Sequence, residues 1–235
     1  MNSEKTDFFG KAHAVNYDKS AQGLAAIKDA IHLVAKIALF DLPDDSNILC
    51  VGAGTGAELI ALAQSNPGWT FTALDSSEAM LSVCREKIDK AGLSARCDFH
   101  HGYIDSLPDG KTYHAATSIL VSQFLISQED RVAFFQKITR HLLPGGYLIN
   151  ADLARPTDDD RYEALMASWV KMQRYNGLSD AQAQASTSLW DTYVSVLEPC
   201  QVEKILVAGG FENPLLVFQT FFIHAWVARA GTPRG

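Results

Sequence analysis

Residues 48–60 read ILCVGAGTGAELI, and this stretch decides the fold. Four apolar residues, Ile48 to Val51, run straight into three glycines at 52, 54 and 56, and a helix-like stretch follows at once. Glycine lets a backbone turn sharply and lets it approach a ligand closely. A strand that passes through such a turn into a helix presents backbone N–H groups to a nucleotide.

Outward from this loop the chain alternates. A helical spacing of apolar residues runs from about residue 20 to 40 and is broken by LPDDSN. After the loop come a helix through AELIALAQS, the turn NPGW and a strand TFTALD ending at Asp75. SSEAMLSVCREKIDKAG opens with serines that can cap a helix and closes with glycine. ARCDFHHG and HAATSILV read as strands three and four, SQEDRVAFFQKITRHLL as a further capped helix stopped by Pro144, Gly145 and Gly146, and YLINADL as a fifth strand. Strands alternating with helices predict a parallel sheet covered on both faces. Residues from about 157 to 196 read as purely helical, PCQVEKILVAGG as one more helix, and PLLVFQTFFIHAWVARA as two strands with a break near Gln219 and Thr220. The expected class is α/β: a doubly wound, mostly parallel, seven-stranded Rossmann-like sheet with a C-terminal antiparallel hairpin. One domain, 1–235, is expected: a helical cap over 1–45, a nucleotide-binding core over 46–153, a helical lid over 154–198, and a C-terminal helix and hairpin over 199–230.

Composition narrows the class of protein. The 235 residues are 47% hydrophobic and 20% charged, an ordinary globular balance. The formal net charge of -7 argues against a nucleic-acid backbone as the main partner. The cysteines, Cys50, Cys84, Cys97 and Cys200, show no CxxC pair, which predicts buried free thiols rather than a metal or redox site. The N-terminus is too polar for a signal peptide, and no apolar run reaches the roughly 20 residues that span a bilayer. These features predict a cytoplasmic protein with no membrane partner, and leave room for a homodimer.

Gly52, Ala53, Gly54, Thr55, Gly56 and Ala57 also fit the dinucleotide pattern G-x-G-x-x-A. Asp75 follows about 20 residues on, at the end of the next strand, where a carboxylate suits a ribose diol. That pair of features admits both NAD and S-adenosylmethionine. The surroundings separate them. About 45 mostly helical residues precede the loop, and the third glycine sits one place early, giving G-x-G-x-G. SSEAML follows Asp75, HHGYIDSLP follows the third strand, ILVSQFL ends the fourth, LLPGGYLI precedes the fifth, and AGGFENP precedes the hairpin. This ordered set resembles the class I S-adenosylmethionine-dependent methyltransferases over nearly the whole chain.

The resemblance implies an enzyme that binds S-adenosylmethionine, leaves S-adenosylhomocysteine as product, and methylates a small-molecule acceptor. It implies that Gly52, Ala53, Gly54, Thr55 and Gly56 pass under the methionine part, and that Asp75 with Ser76 holds the ribose. Met80 would pack on adenine, which Tyr103 and Ile104 would reach through main-chain groups and stacking. Ile119 and Leu120 would meet the amino-acid end and the acceptor, and Tyr17, in AVNYDKS, would lid the cofactor. Two positions depart from the family pattern. Tyr103 stands where many members carry an aspartate for adenine, with Asp105 as a candidate substitute, and His114 stands where the fourth strand often starts with an aspartate. His114, His100 and His101 read as strand-end residues without a metal role.

A sulfonium methyl is already a strong electrophile, so the chemistry needs alignment and water exclusion more than a catalytic triad. No catalytic residue is assigned. Gln123 is the polar group placed nearest the acceptor, with capping or packing as its alternative role. Trp190, Tyr193 and the nearby cation Arg174 are candidates for an acceptor pocket, with a helical core layer as the alternative. SQFLISQEDRVAFFQKITRHLLPGGYLI, QRYNGLS and GGFENPLLVFQTF further resemble the carboxy-S-adenosylmethionine synthases of tRNA wobble-uridine modification. Those enzymes hold the added carboxylate with a lid arginine, and that position falls near Thr187 here. The expected function is therefore methyl transfer, with the synthase reaction or non-catalytic cofactor binding as alternatives.

Overall fold

The computed structural model describes residues 22–188 and 190–231. Tyr17 lies outside the described residues. A short 3₁₀ turn, Gln22–Leu24, leads into α1, Ala25–Ala38. Then follow β1 (Asn47–Val51), α2 (Ala57–Ser65), β2 (Thr70–Asp75), α3 (Glu78–Lys90), β3 (Cys97–His101) and β4 (Tyr113–Ile119). The chain continues through α4 (Gln128–Arg140), β5 (Leu142–Leu153), α5 (Asp159–Tyr175), α6 (Asp180–Ser188), α7 (Trp190–Tyr193), α8 (Pro199–Ala208), β6 (Phe211–Thr220) and β7 (Ile223–Ala230).

The sheet has seven strands in the order β3-β2-β1-β4-β5-β7-β6. The first five run parallel, and β7 joins β5 and β6 antiparallel. The chain winds outward from β1 to β3 and then returns to place β4 on β1's other side. Helices that cover opposite faces diverge there, so a crevice opens at the carboxyl ends of β1 and β4.

Side-chain alternation along each strand feeds two cores. Ile48 and Cys50 face α1, α2 and α3 and pack with Ala35, Leu39, Leu59, Leu62, Leu81, Cys84 and Ile88. Leu49 and Val51 face the other way and pack with Phe135 and Ile138 of α4, Val202 and Leu206 of α8, and Trp226. A third cluster gathers Ile31 of α1, Trp169 of α5 and Phe222 against the ends of β5 and β7. Helix starts follow the expected chemistry. Ser77, Ser127 and Asp158 each accept a hydrogen bond from a backbone N–H in the first turn that follows.

Several boundaries differ from the sequence expectation. The segment expected to be purely helical is broken at Asn176–Ser179, where Gly177 takes a φ of +97°. Ser179 then opens α6: its N–H donates to the side chain of Gln182, whose own N–H returns a bond to the Ser179 hydroxyl. Helix α4 stops at Arg140, and β5 starts at Leu142, before the Pro-Gly-Gly run rather than after it. The hairpin reverses at Phe221 and Phe222, with Phe221 at a φ of +48°. Cys50, Cys84 and Cys97 are buried as expected, but Cys200 is exposed at the start of α8.

Candidate functional site

The glycine loop follows β1 at its carboxyl end, beside the neighbouring strand β4. Gly52, Gly54 and Gly56 hold φ values of +70°, +55° and +82°, a region L side chains avoid. Their surroundings differ. A Cβ on Gly52 would sit 2.5 Å from Val121, and one on Gly56 2.6 Å from the Cys84 sulfur. A Cβ on Gly54 would meet only the Gly52 carbonyl, at 4.0 Å. Two of the glycines are thus required by the protein's own packing, and Gly54 turns its bare side to open space.

Asp75 clamps this loop. Its carboxylate accepts the Gly54 N–H at 2.8 Å on one oxygen and the Ser77 N–H at 2.8 Å on the other. Burial pushes the Asp75 carboxyl up, while the N–H groups of Ser77 and Gly54 pull it back. The Ser76 N–H also acts on this carboxylate, and of its roughly four lone-pair sites some acceptor capacity remains for a hydroxyl donor. Its carbonyl accepts the Gly102 N–H at 2.9 Å, which ties the loop after β3 to the same corner. Ser76 is exposed, its carbonyl in contact with His101, and Met80 is buried beneath the turn with its N–H on the Ser77 hydroxyl. Ala53 and Thr55 are buried, and the Thr55 hydroxyl accepts from Lys87 at 3.2 Å.

Beyond the loop, the residues singled out in the sequence take distinct positions. The Tyr103 side chain is exposed, while Ile104 is buried in the core. Asp105 forms an ion pair with Lys137 of α4 at 2.5 Å, so its carboxylate is committed to that helix. His100 meets the Ser106 hydroxyl, and His114 accepts the Asn47 N–H at 3.1 Å, fixing the start of β1. Ile119 and Leu120 pack against the aromatic cluster under α5. Leu120 holds a φ of +58°, and its N–H bonds to the Ala151 carbonyl at 2.8 Å. A leucine in this region is strained, and such strain gathers at functional sites.

Gln123 is 5% exposed, and its side-chain oxygen accepts the Leu153 N–H at 3.2 Å, so it braces β5 from within. Trp190 packs edge-on against Trp169 and Phe222, with centroids 5.5 and 5.0 Å apart, and Tyr162 meets Phe222 at 5.6 Å. These rings belong to the third core cluster, in which Tyr162 and Trp190 pack against buried Trp169 and Phe222. Tyr193 is partly buried at the end of α7. Arg174 is more than half exposed and ion-paired with Asp180 at 2.5 Å. Thr187 returns its hydroxyl to the Gln184 carbonyl at 2.9 Å, within its own helix. Among the described residues, no group of three His, Cys, Asp or Glu side chains is placed to hold a metal ion.

Sequence reasoning passed over two features. Arg131, fully buried on α4, joins Asp152, the Ser122 hydroxyl and the Ser195 carbonyl. Glu58, on the inward face of α2, is buried with its Oε1 unpartnered. The helical period offered a signal for both: each charge falls on a face otherwise filled by apolar residues, Glu58 with Leu62 and Arg131 with Phe135 and Ile138.

Comparison with known proteins agrees with this geometry. Residues 48–146 match the methyltransferase domain family. The carboxy-S-adenosyl-L-methionine synthase of Dichelobacter nodosus is 29% identical over 226 residues, 94% of this chain and 91% of that protein. The protein of the same name from Klebsiella pneumoniae (strain 342) is 26% identical over 216 residues, 90% of this chain and 85% of that one. Human N-acetylserotonin methyltransferase, solved in complex with S-adenosylmethionine, superposes with a TM-score of 0.66 at 17% identity, covering 96% of this chain and 58% of that one. An O-methyltransferase-like structure from Nostoc punctiforme gives 0.65 at 18%, covering 86% and 56%. The chain therefore spans little more than half the length of these two solved structures.

Proposed function

We propose, for a chain whose residues 48–146 are a methyltransferase domain and whose cofactor is S-adenosylmethionine, that it transfers the methyl group in line to a small-molecule acceptor. The observation that carries this reading is the clamp between Asp75 and Gly54 beside open space. The residues fit the cofactor: bare backbone at Gly54, a carboxylate with free lone pairs at Asp75, and an exposed ring at Tyr103.

When bound, S-adenosylmethionine supplies a methyl group on a sulfonium ion. The chain's contribution is placement. Asp75 orients the ribose while holding its own loop, so cofactor and loop are fixed by one group. Ile119 and Leu120 present an apolar wall at the end of β4. The segment from α5 to α7, backed by Trp169 and Phe222, covers that wall and excludes water. Exclusion and alignment are what in-line transfer requires.

A second reading is favoured by the named relatives, which match over nearly their whole length: the chain makes carboxy-S-adenosylmethionine. That product adds a carboxylate, which needs a cation in a buried site. Thr187 offers none, and Arg174 is engaged by Asp180. Methyl transfer therefore ranks first. The test is mass spectrometry of the small molecule that co-purifies with the protein. S-adenosylmethionine or S-adenosylhomocysteine is the expected result. A species heavier by a carboxyl group favours the synthase, and NAD overturns both.

A further inference from the structure

Glu58 is the second residue of α2, two positions beyond Gly56. It is 8% exposed, and Oε1 accepts no hydrogen bond. Buried carboxyl oxygens are rarely left bare, so this one calls for a donor. Titratable groups approach it from four elements: Lys28 on α1, Cys50 on β1, Asp75 at the end of β2, and Cys84 and Lys87 on α3. Burial pushes the Glu58 carboxyl up to about 7, against the pull of its own backbone N–H and Lys28; Asp75 adds to the rise and Lys87 opposes it. The acid therefore gives up its proton readily once a cation arrives.

S-adenosylmethionine carries two cationic groups, a sulfonium and an ammonium. Only the ammonium has N–H donors, which is what an unpartnered acceptor lacks. Asp75 is already committed to the loop and to the diol. We propose that Glu58 receives the ammonium of the cofactor's amino-acid end, and that its proton leaves as the cofactor binds. The inference rests on the cofactor assignment above and adds a residue and a proton to it. The exchange balances: a neutral carboxyl and an ammonium become a carboxylate–ammonium pair, and one proton passes to the buffer. No covalent bond of the ligand changes.

The test is calorimetry of S-adenosylhomocysteine binding at pH 6, in buffers of small and large ionisation enthalpy. At that pH the ligand's ammonium is fully protonated, so any released proton comes from the protein. The expected result is close to one proton released per ligand, with affinity rising about tenfold from pH 6 to pH 8. Glu58→Gln should release none and show no such rise. Methylthioadenosine, the same nucleoside without the amino-acid end, should release none from the unaltered protein, a control that does not depend on the variant folding. Tight S-adenosylhomocysteine binding without proton release, or equal release by Glu58→Gln, overturns the role of Glu58 and leaves the cofactor assignment standing. No binding at any pH overturns the cofactor assignment, and this inference with it.

Discussion

At Gly54 the backbone conformation and the empty space beside it make separate demands. An alanine there keeps its Cβ clear of protein atoms but must hold a φ of +55°, which costs about 1–2 kcal/mol. Gly54→Ala should fold, melt a few degrees lower, and lose the thermal shift given by S-adenosylhomocysteine. Gly52→Ala adds a collision with Val121 to the same strain and should melt lower still. Equal melting points would show that the Val121 contact relaxes freely. Asp75→Ala removes the clamp as well as the diol acceptor. It should weaken the cofactor at least tenfold by calorimetry and also lower the melting temperature, because the N–H groups of Gly54 and Ser77 lose their partner. Glu58 gives a pH signature in the free protein. Its carboxyl sits at about 7 when folded, against an ordinary 4.5. Native protein therefore holds a proton that the unfolded chain has released between those values. The stability this provides is present below about pH 4.5 and is lost as pH rises through 7. Glu58→Gln should match the parent near pH 4.5 and exceed it at pH 8 by on the order of 3 kcal/mol, read from urea unfolding.

Among the elements, the return from α7 to the sheet is anchored at Ser195. Arg131 donates to the Ser195 carbonyl at 3.1 Å, and the Ser195 N–H donates to the Gln123 carbonyl at 2.8 Å. Burial pushes the Asp152 carboxyl up, and Arg131 and Ser122 pull it back. Removing one partner strands a buried charge, so Arg131→Met should cost about 3–5 kcal/mol by urea unfolding. Combining it with Asp152→Leu should restore much of the loss; a double variant as weak as the single would show that the Ser195 tie, not the charge pair, carries the stability. Elements of this kind explain what sequence reading can reach. The alternation of strands and helices, the capped helices at Ser77 and Ser127 and the glycine turn were legible because each depends on residues close in sequence, whereas the order of the strands joins residues as far apart as Ile48 and Ala115. The break at Asn176–Ser179 was also written locally, in a glycine followed by a serine three places before a glutamine, but the aromatics on either side suggested one continuous run. Arg131 with Asp152, Gln123 with Leu153 and Asp105 with Lys137 join residues 21 to 32 positions apart, on different elements. No local pattern specifies such pairings; only the register of the sheet does.

For the whole molecule, the open question is what charge the covered site tolerates. A carboxylated cofactor brings a second carboxylate near the sulfonium, and its burial is favourable only against a cation. The described arginines of the helical segment and its surroundings are largely engaged elsewhere. Arg131 is spent on Asp152, Arg174 on Asp180, and Arg155 lies over the Tyr162 ring near Asp159. The overall balance of -7 adds no compensating field. On this architecture the carboxylated form should bind no better than S-adenosylmethionine. Displacement of bound S-adenosylhomocysteine by each, in one buffer and at one salt concentration, compares them directly. Equal or weaker binding of the carboxylated form directs the search to acceptors, beginning with small aromatic and carboxylic metabolites. A tenfold preference for it, about 1.4 kcal/mol, requires a cation near the sulfonium and favours the synthase reading over methyl transfer from S-adenosylmethionine. In that outcome, substituting Arg155, Arg161 and Lys171 one at a time identifies the donor as the variant that loses the preference while keeping its affinity for S-adenosylmethionine. A preference that survives all three substitutions places the cation on another part of the chain or on a second copy.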